Sequence, residues 1–572
     1  MSLHAFHRSD RNRIALLLGI TVGMMLVEPC WAGPNEHLEM FLDDVNIHSM
    51  TGTKRELQQP QRNANPVITG SGGSWDADRS FGTVLYDNQD GIYKAWYQNN
   101  DARNGVSYAV SNNGLNWTYP DSPTKPGTNM LFRGEGAQNN GGAGFMKLYG
   151  ASVIKDMDDV AARRYKMIYY DHDNGRLKEP NGDYIYFDGT HPNGGSAGIF
   201  TATSADGLNW TRSTTPQLDV FRLNENSIHD VVELMHDGQT GKYVIYSKAL
   251  AQYSKSSGTQ VPSANDHRVI VRSESSDFTN WSTPQVVIRH DNTSSDPQSY
   301  GSSVFEYEGM YIMPLRIYHN TGRADGQQGD RTIDVQLAAS RDGINWTRVA
   351  NKATFMPLGA AGSWDDGIVQ PFRPFEKDGE INIYYHAWNG PHENTDDTPF
   401  PRDGTIGLGK LDAGRFLSLS RDVADPNYNK GTVITKTFVM DGDGLYINAD
   451  LANIDDIRVN IMTENYQSTG VTAYLPGDIT PVADNPLYYS VKFNGGAISL
   501  SDWNGLTISL RFVLYGGADL YGYTTNLSNL AASSSLVVVP EPAAALFFLG
   551  LAGFAVRRPR SSSMSARRCD RA

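Results

Sequence analysis

The chain has 572 residues with 39% hydrophobic side chains, which is enough for two or three domains with cores of their own. Its formal net charge of −14 argues against a nucleic-acid partner, because an acidic surface repels phosphate backbones. The only cysteines, Cys30 and Cys569, lie in segments expected to be removed, so the mature protein would have no disulfide, thiolate nucleophile or thiolate metal site.

At the N-terminus, Arg8, Arg11 and Arg13 precede an apolar run from Ile14 to Val27, and Cys30-Trp31-Ala32 offers a small-residue cleavage site before Gly33. Residues 1–32 therefore read as a secretory signal, with a membrane anchor as the rival reading. Residues 33–74 hold strand-like Leu38 to Leu42 and Asn65 to Ile68, expected as a lead-in that packs on the following domain. Asp43-Asp44 reads as a solvated turn.

From residue 75 a motif recurs: SNNGLNW at Ser111 to Trp117, SADGLNW at Ser204 to Trp210, a degenerate SSDFTNW at Ser275 to Trp281, and SRDGINW at Ser340 to Trp346. Each follows a short apolar alternation, so each reads as a strand running into a tight turn, with the Trp opening the next strand. Ahead of each copy lies a hairpin with a tyrosine-rich second strand, such as TVLYDNQDGIYKAWY, and a fifth hairpin ends in Glu380 to Tyr385. Hairpin, strand, turn and Trp make a four-stranded sheet, and five such sheets with no helical periodicity between them call for radial closure. Residues 75–425 are thus expected to form a five-bladed β-propeller, its last blade running from Trp364 to about Leu419. Long polar insertions such as Asp171 to Gly195, Gln252 to Asp266 and Trp388 to Asp403 would rim one end.

Beyond Asp441 the motif stops and short alternating strands follow, so residues 430–530 read as a C-terminal β-sandwich and the whole chain as all-β. A linker over 531–538 leads to Val539-Pro540-Glu541-Pro542, an apolar run from Ala543 to Val556, and Arg557-Arg558. Fourteen apolar residues fall short of the roughly 20 that span a membrane comfortably. The segment 539–560 resembles the PEP-CTERM sorting signal, which implies recognition by exosortase-type machinery at the inner membrane and a cell-surface or extracellular destination. Removing residues 1–32 (net +1) and 543–572 (net +5) would take the charge to −20.

The turn-Trp motifs, the hairpins, the Gly362-Ser363-Trp364-Asp365-Asp366-Gly367 stretch and the closing LRFVLYGGADLY at Leu510 to Tyr521 resemble the five-bladed propeller glycoside hydrolases of the invertase, arabinanase and levansucrase superfamily, families 32, 43, 117 and 130 among them. That resemblance implies a glycosidase acting on a polysaccharide or oligosaccharide. Glycoside hydrolysis needs a proton donor and a carboxylate that attacks or activates water. Inner strands of all blades converge on one axial funnel, so carboxylates just ahead of them are the candidates: Asp76 and Asp78, Asp230, and Asp365 with Asp366. Repeated placement in three blades points to a shared acidic pocket. By the resemblance, Asp78 would be the base and Asp230 the modulating or stabilising carboxylate. The donor is the weak position: the fourth blade starts Gln298-Ser299-Tyr300-Gly301-Ser302 with no Glu, Glu233 sits inside a strand, and Glu306 and Glu308 lie near a hairpin turn. His229 can donate near neutral pH, but adjacent strand residues face opposite ways, so it joins Asp230 only if the strand begins after both. Asp365 or Asp366 with a raised pKa is the other donor candidate.

Arg79, Lys147, Arg316, His319, His386 and Trp388, with Tyr300, are candidate funnel-lining residues. No cofactor is required, and an axial calcium ion or water has room, although no ligand spacing demonstrates one. The rival from another class is a non-catalytic carbohydrate-binding or surface-matrix propeller. A sialidase ranks last, because its turn motif carries one more residue between Asp and Gly.

Overall fold

The computed structural model describes residues 34, 36–73, 76, 79–99, 105–134, 148–172, 197–219, 228–250, 268–289, 297–319, 331–392 and 404–528, except 476 and 484. The expected signal over 1–32, the tail over 539–560, Asp78 and Lys147 lie outside the described residues. No helix among the described residues is long and apolar enough to cross a membrane.

The described residues are all-β, in antiparallel sheets that follow one another along the chain. The first repeat pairs Ser80–Asp87, Ile92–Asn99, Gly105–Ser111 and Met130–Arg133 in that order. The second is built on Tyr149–Lys155, Tyr165–His172 and Ala197–Ser204, with the short Thr211–Arg212 outside. The third runs Val232–Asp237, Lys242–Leu250, Arg268–Ser275 and Gln285–Ile288. The fourth uses Gln298–Ser302, Met310–His319 and Thr332–Ser340, and the fifth Ile368–Pro371, Glu380–Trp388 and Thr405–Asp412. A single parallel pair, Ile333 with Ile368, joins these last two into one sheet.

The recurring turn explains how neighbouring repeats are held. In the second copy, Gly207 N donates to Ser204 Oγ (2.9 Å), while Leu208 N and Asn209 N both donate to Asp206 Oδ1 (2.8 Å each). The side chains thus satisfy backbone donors that a tight turn leaves open. Trp210 Nε1 then donates back to Gly207 O at 3.0 Å. The same carbonyl accepts a second hydrogen bond from the preceding repeat, Trp96 Nε1 at 2.7 Å. Tyr246 OH reaches Gly343 O of the fourth repeat in the same way (2.8 Å), and Tyr384 OH of the fifth reaches Gly114 O of the first (2.8 Å). Each donor stands on the second strand of its repeat, which is the reason those strands are rich in Tyr and Trp. The degenerate third turn has Phe278 in place of Gly at φ 63°, and Lys166 of the second repeat lies over its ring at 5.8 Å.

A second latch repeats at the hairpin ends. Asp87 accepts from Tyr165 OH and pairs with Lys155 (2.6 Å), Asp156 accepts from Tyr243 OH, and Asp237 accepts from Tyr311 OH (2.8 Å), each time reaching from one repeat to the next. The fifth repeat meets the first again where Arg79 Nε donates to Gly404 O (3.0 Å) and Lys377 lies over the Tyr86 ring (4.4 Å).

Two expectations are corrected. The outer partner of Thr405–Asp412 is Gln61–Arg62 from the N-terminal segment, not Leu417 to Leu419. Leu417–Arg421 instead pairs with Thr53–Leu57 and with Ala518–Thr524. The N-terminal segment is therefore divided: Glu39–Met40, Ile47–Thr51 and Thr53–Leu57 join two C-terminal sheets, while residues 61–68 run along the fifth repeat. Both sheets contribute to one buried cluster, in which Leu510, Phe512 and Leu514 take part and Phe512 lies against Tyr523 at 5.4 Å. Asp43 is also not a solvated turn residue. It is buried and, with Glu39, holds Arg341 of the fourth turn at 2.9 and 2.6 Å.

Gly207 has φ +75°, and a Cβ there would lie 2.7 Å from Trp96 Cζ2, whereas Gly241 at φ +68° has nothing within 4 Å. Gly241→Ala is expected to cost about 1–2 kcal/mol for the left-handed backbone alone. Gly207→Ala should cost about 1–3 kcal/mol more from overpacking. Chemical denaturation of both variants checks this, and equal losses would contradict the packed turn.

Candidate active site

Side chains from the first strands of the repeats, with Arg316 and His386 from the second strands of the fourth and fifth, approach one another. Phe81 of the first repeat lies 5.8 Å from the His386 ring of the fifth, and Ser152 Oγ of the second donates to Glu233 Oε2 of the third (3.2 Å). Arg316 Nη2 of the fourth reaches both Glu233 Oε1 (2.7 Å) and Pro371 O of the fifth (2.6 Å). Burial pushes the Glu233 carboxyl up against the opposing pull of Arg316 and Ser152. Burial likewise drives the Arg373 guanidinium down, with Glu233 acting against it. His386 is fully buried and falls to about 3, from burial first and then from Arg316. Arg316 Nε and Nη1, Gln370 Oε1 and both His386 ring nitrogens find no hydrogen-bond partner among the described residues. Two guanidiniums beside one carboxylate do not fit calcium, which needs six to eight oxygen ligands. Asp156, Asp158 and His236 are the one grouping with metal-ligand reach among the described residues, and Asp156 is already taken by Lys166 (3.2 Å) and Tyr243.

Asp230 stands three residues ahead of Glu233 in the chain. The third repeat's inner strand begins at Val232, so His229 and Asp230 both precede it, which meets the condition for the two to serve one site. The Asp230 side chain keeps 38% exposure and pairs through Oδ1 with Lys248 Nζ at 2.8 Å. Burial works against the anion, but the Lys248 ammonium prevails and holds the carboxyl down at about 2. Lys248 lies 4.5 Å over the Tyr300 ring, and Arg268 lies 4.6 Å over Tyr318. Tyr300 OH bonds His392 Nε2, and His392 packs edge-on against Tyr318 at 5.7 Å. Trp388 stands between His386 (5.0 Å) and His392 (6.5 Å). His319 Nε2 sits 3.0 Å from Asp334 Oδ1 nearby on the fourth repeat. The result is an ionised carboxylate set among cations and aromatic faces, a surface on which sugar rings can stack.

The other expected carboxylates do not join Asp230 through any contact among the described residues. Asp76 is buried and accepts from Ser71 N (2.6 Å) and Tyr97 OH (3.1 Å), with burial raising its pKa. Asp365 accepts from Arg62 (2.9 Å), Ser363 Oγ (2.8 Å) and Tyr385 OH (3.3 Å). Asp366 accepts from Gly362 N at 2.6 Å. Tyr97 and Tyr385 occupy matching places on their second strands, so the two GSWD copies repeat an Asp-to-Tyr strut. Arg79 ties the start of the first repeat to the fifth. Around His229, burial and then the Lys248 charge drive the imidazole down to about 4, so the ring is neutral at pH 7.

Lys248, Arg268, Tyr318 and His392 were not singled out from the sequence. A charged Lys248 closing the otherwise apolar Tyr243-Val244-Ile245-Tyr246 run is the one local signal, and its partner becomes visible only through the pairing of the first two strands.

No family model matches the chain, and no curated protein does. Among solved structures it is similar to a glycoside hydrolase (13% identity, 62% of this chain and 92% of that chain, TM-score 0.40). It is also similar to an α-L-arabinofuranosidase from Podospora anserina in complex with cellotriose (13%, 62% and 98%, TM-score 0.39). A third is a fructofuranosidase from Schwanniomyces occidentalis complexed with fructosylnystose (13%, 82% and 98%, TM-score 0.38). These likenesses are too remote to decide the fold or activity of this chain.

Unfolded histidine titrates near 6.5, so below that pH the unfolded chain binds a proton that native His229 refuses until about pH 4. Its contribution is complete above about pH 6.5 and is lost as pH falls toward 4. His229→Gln is therefore expected to lose less stability than the wild type between pH 7.5 and 5 in urea titrations. Equal losses would contradict a buried neutral ring.

Proposed function

We propose that the five repeats form a five-bladed β-propeller, that the two C-terminal sheets form a β-sandwich, and that the protein is a secreted glycoside hydrolase. The fifth repeat's contacts with the first through Tyr384, Arg79 and Lys377 support the closed ring. The observation that carries the catalytic reading is Asp230, held ionised by Lys248 directly ahead of an inner strand, with Lys248 lying over the Tyr300 ring and Tyr300 bonded to His392. In this reading the anion stabilises positive charge developing at the sugar carbon as the glycosidic bond breaks. Asp78, directly before the first inner strand, supplies the second carboxylate. The N-terminal signal exports the chain, and the Pro-Glu-Pro tail delivers it to the cell surface or beyond through exosortase-type machinery.

A non-catalytic carbohydrate-binding propeller is the second reading. It is favoured by the engagement of Glu233 with Arg316 and of Asp365 with Arg62, which takes two carboxylates out of proton transfer.

Release of reducing ends from a panel of polysaccharides and oligosaccharides separates the two. The glycosidase reading predicts turnover by the wild type and a loss of about 10²- to 10⁴-fold in Asp230→Asn and in Asp78→Asn. Binding without turnover by the wild type would overturn it.

A further inference from the structure

The hairpin-end aspartates do not all face the same kind of partner. Lys155, His236 and Glu306 stand at one equivalent position, immediately ahead of the hairpin end of the second, third and fourth repeats. Each meets the hairpin-end aspartate of the repeat before. Lys155 Nζ pairs with Asp87 Oδ1 at 2.6 Å, an ordinary ion pair. A ring nitrogen of His236 comes within 4.8 Å of an Asp156 carboxylate oxygen. Between the third and fourth repeats the facing group is a second carboxyl, Glu306 from the short strand Phe305–Tyr307 opposite Asp237.

The turn after Asp237 brings these two carboxyls together. Gly238 N donates to Glu306 Oε2 at 3.1 Å, and Gln239 N is directed at both Asp237 Oδ1 (3.0 Å) and Glu306 Oε1 (3.3 Å). One N–H shared by an oxygen of each places the two groups side by side. The remaining donors favour Asp237: Thr240 N at 3.1 Å, Tyr311 OH at 2.8 Å, and Arg272 Nη2 at 4.0 Å. Arg272 is itself drawn to Glu274 (2.7 Å), which also pairs with Lys242, and the nearby Tyr246 OH is bonded to Gly343 O. Two carboxyls this close do not both ionise readily, so one keeps a proton and gives it to the other as a hydrogen bond. Burial first and then Asp237 push Glu306 up to about 8. Asp237 falls below its ordinary range, because hydrogen bonds from Glu306, Thr240 and Tyr311 outweigh its burial.

We propose that a proton shared between Glu306 and Asp237 closes the seam between the third and fourth repeats, which is tight in acid and loosens in alkali. An unfolded glutamate titrates near 4.3, whereas folded Glu306 keeps its proton to about 8. Its contribution is complete below about pH 4 and is lost as pH rises through about 8. Asp237 acts in the opposite sense and only below its ordinary range near 3.9, which leaves the span above about pH 5 to Glu306. The seam closed by Lys155 and Asp87 has no such dependence over that span. The proposal concerns the packing of repeats and holds whatever reaction the protein carries out.

Urea unfolding of the whole protein at about pH 6 and about pH 9 tests it. The wild-type midpoint should fall toward pH 9. Glu306→Gln keeps a donor for Asp237 without ionising, and Glu306→Lys rebuilds the ion pair of the first seam; each should lose no more than about half as much as the wild type. A wild-type midpoint that holds to pH 9 would overturn the proposal, as would a fall in either variant equal to that of the wild type. Infrared difference spectra of wild type minus Glu306→Gln at about pH 6 give a readout that a plain packing role would not move. The carbonyl band of a protonated carboxylic acid should be stronger in the wild type, and equal bands would also overturn the proposal.

Discussion

A glycine carbonyl that accepts two indole or phenol donors is the contact on which the repeat region is built. In the three turns that keep the Gly, Ser and Asp or Asn side chains hold the backbone, and the motif's own Trp takes one side of the Gly carbonyl. The other side is open to the second strand of the adjacent repeat, and Trp96, Tyr246 and Tyr384 fill that place. A buried hydrogen bond contributes only about 1 kcal/mol net, while leaving its acceptor unpaired costs about 1–3 kcal/mol. The turn therefore specifies which surface the next sheet must present more than it adds to stability.

Fixing adjacent sheets in this way has a consequence at their inner edges. Ser152, Glu233 and Pro371 on first strands and Arg316 on a second strand, from four different repeats, come close enough to share one hydrogen-bonded cluster. That cluster is dry and engaged, so it supports rather than reacts. Asp230 precedes the third repeat's first strand and keeps part of its side chain in contact with solvent. Asp230 keeps its charge there because Lys248, one strand over, outweighs the burial of the carboxylate. Lys248 also lies over the Tyr300 ring, whose hydroxyl bonds His392.

Local features of the repeats were legible because they depend on neighbours in sequence. The Ser-x-Asp-Gly turn, the hairpins and the alternation in the closing strands all carry their signal within about ten residues. What escaped was long-range. Nothing in Gln61-Arg62 states that it will edge Thr405–Asp412, and nothing in Leu417–Arg421 states that it will leave the fifth repeat for the C-terminal sheets. Asp230 was found by its place ahead of a strand, but Lys248 required the strand register. The two GSWD copies repeat a hydrogen bond from Asp76 to Tyr97 and from Asp365 to Tyr385, a packing contact whose partner lies about twenty residues on and carries no mark in the motif itself. Asp43 misled in the same way, since its partner Arg341 lies some three hundred residues away.

If the repeats close on themselves, the junction between the last and the first is held as firmly as those inside the series. Tyr384→Phe removes the phenol that reaches Gly114 O, and Tyr246→Phe removes its counterpart on Gly343 O. Denaturation of the two variants side by side is the most direct test. A closed ring predicts losses of similar size, about 1–3 kcal/mol each. A loss in Tyr246→Phe with none in Tyr384→Phe would contradict it, showing a series of sheets with two free ends.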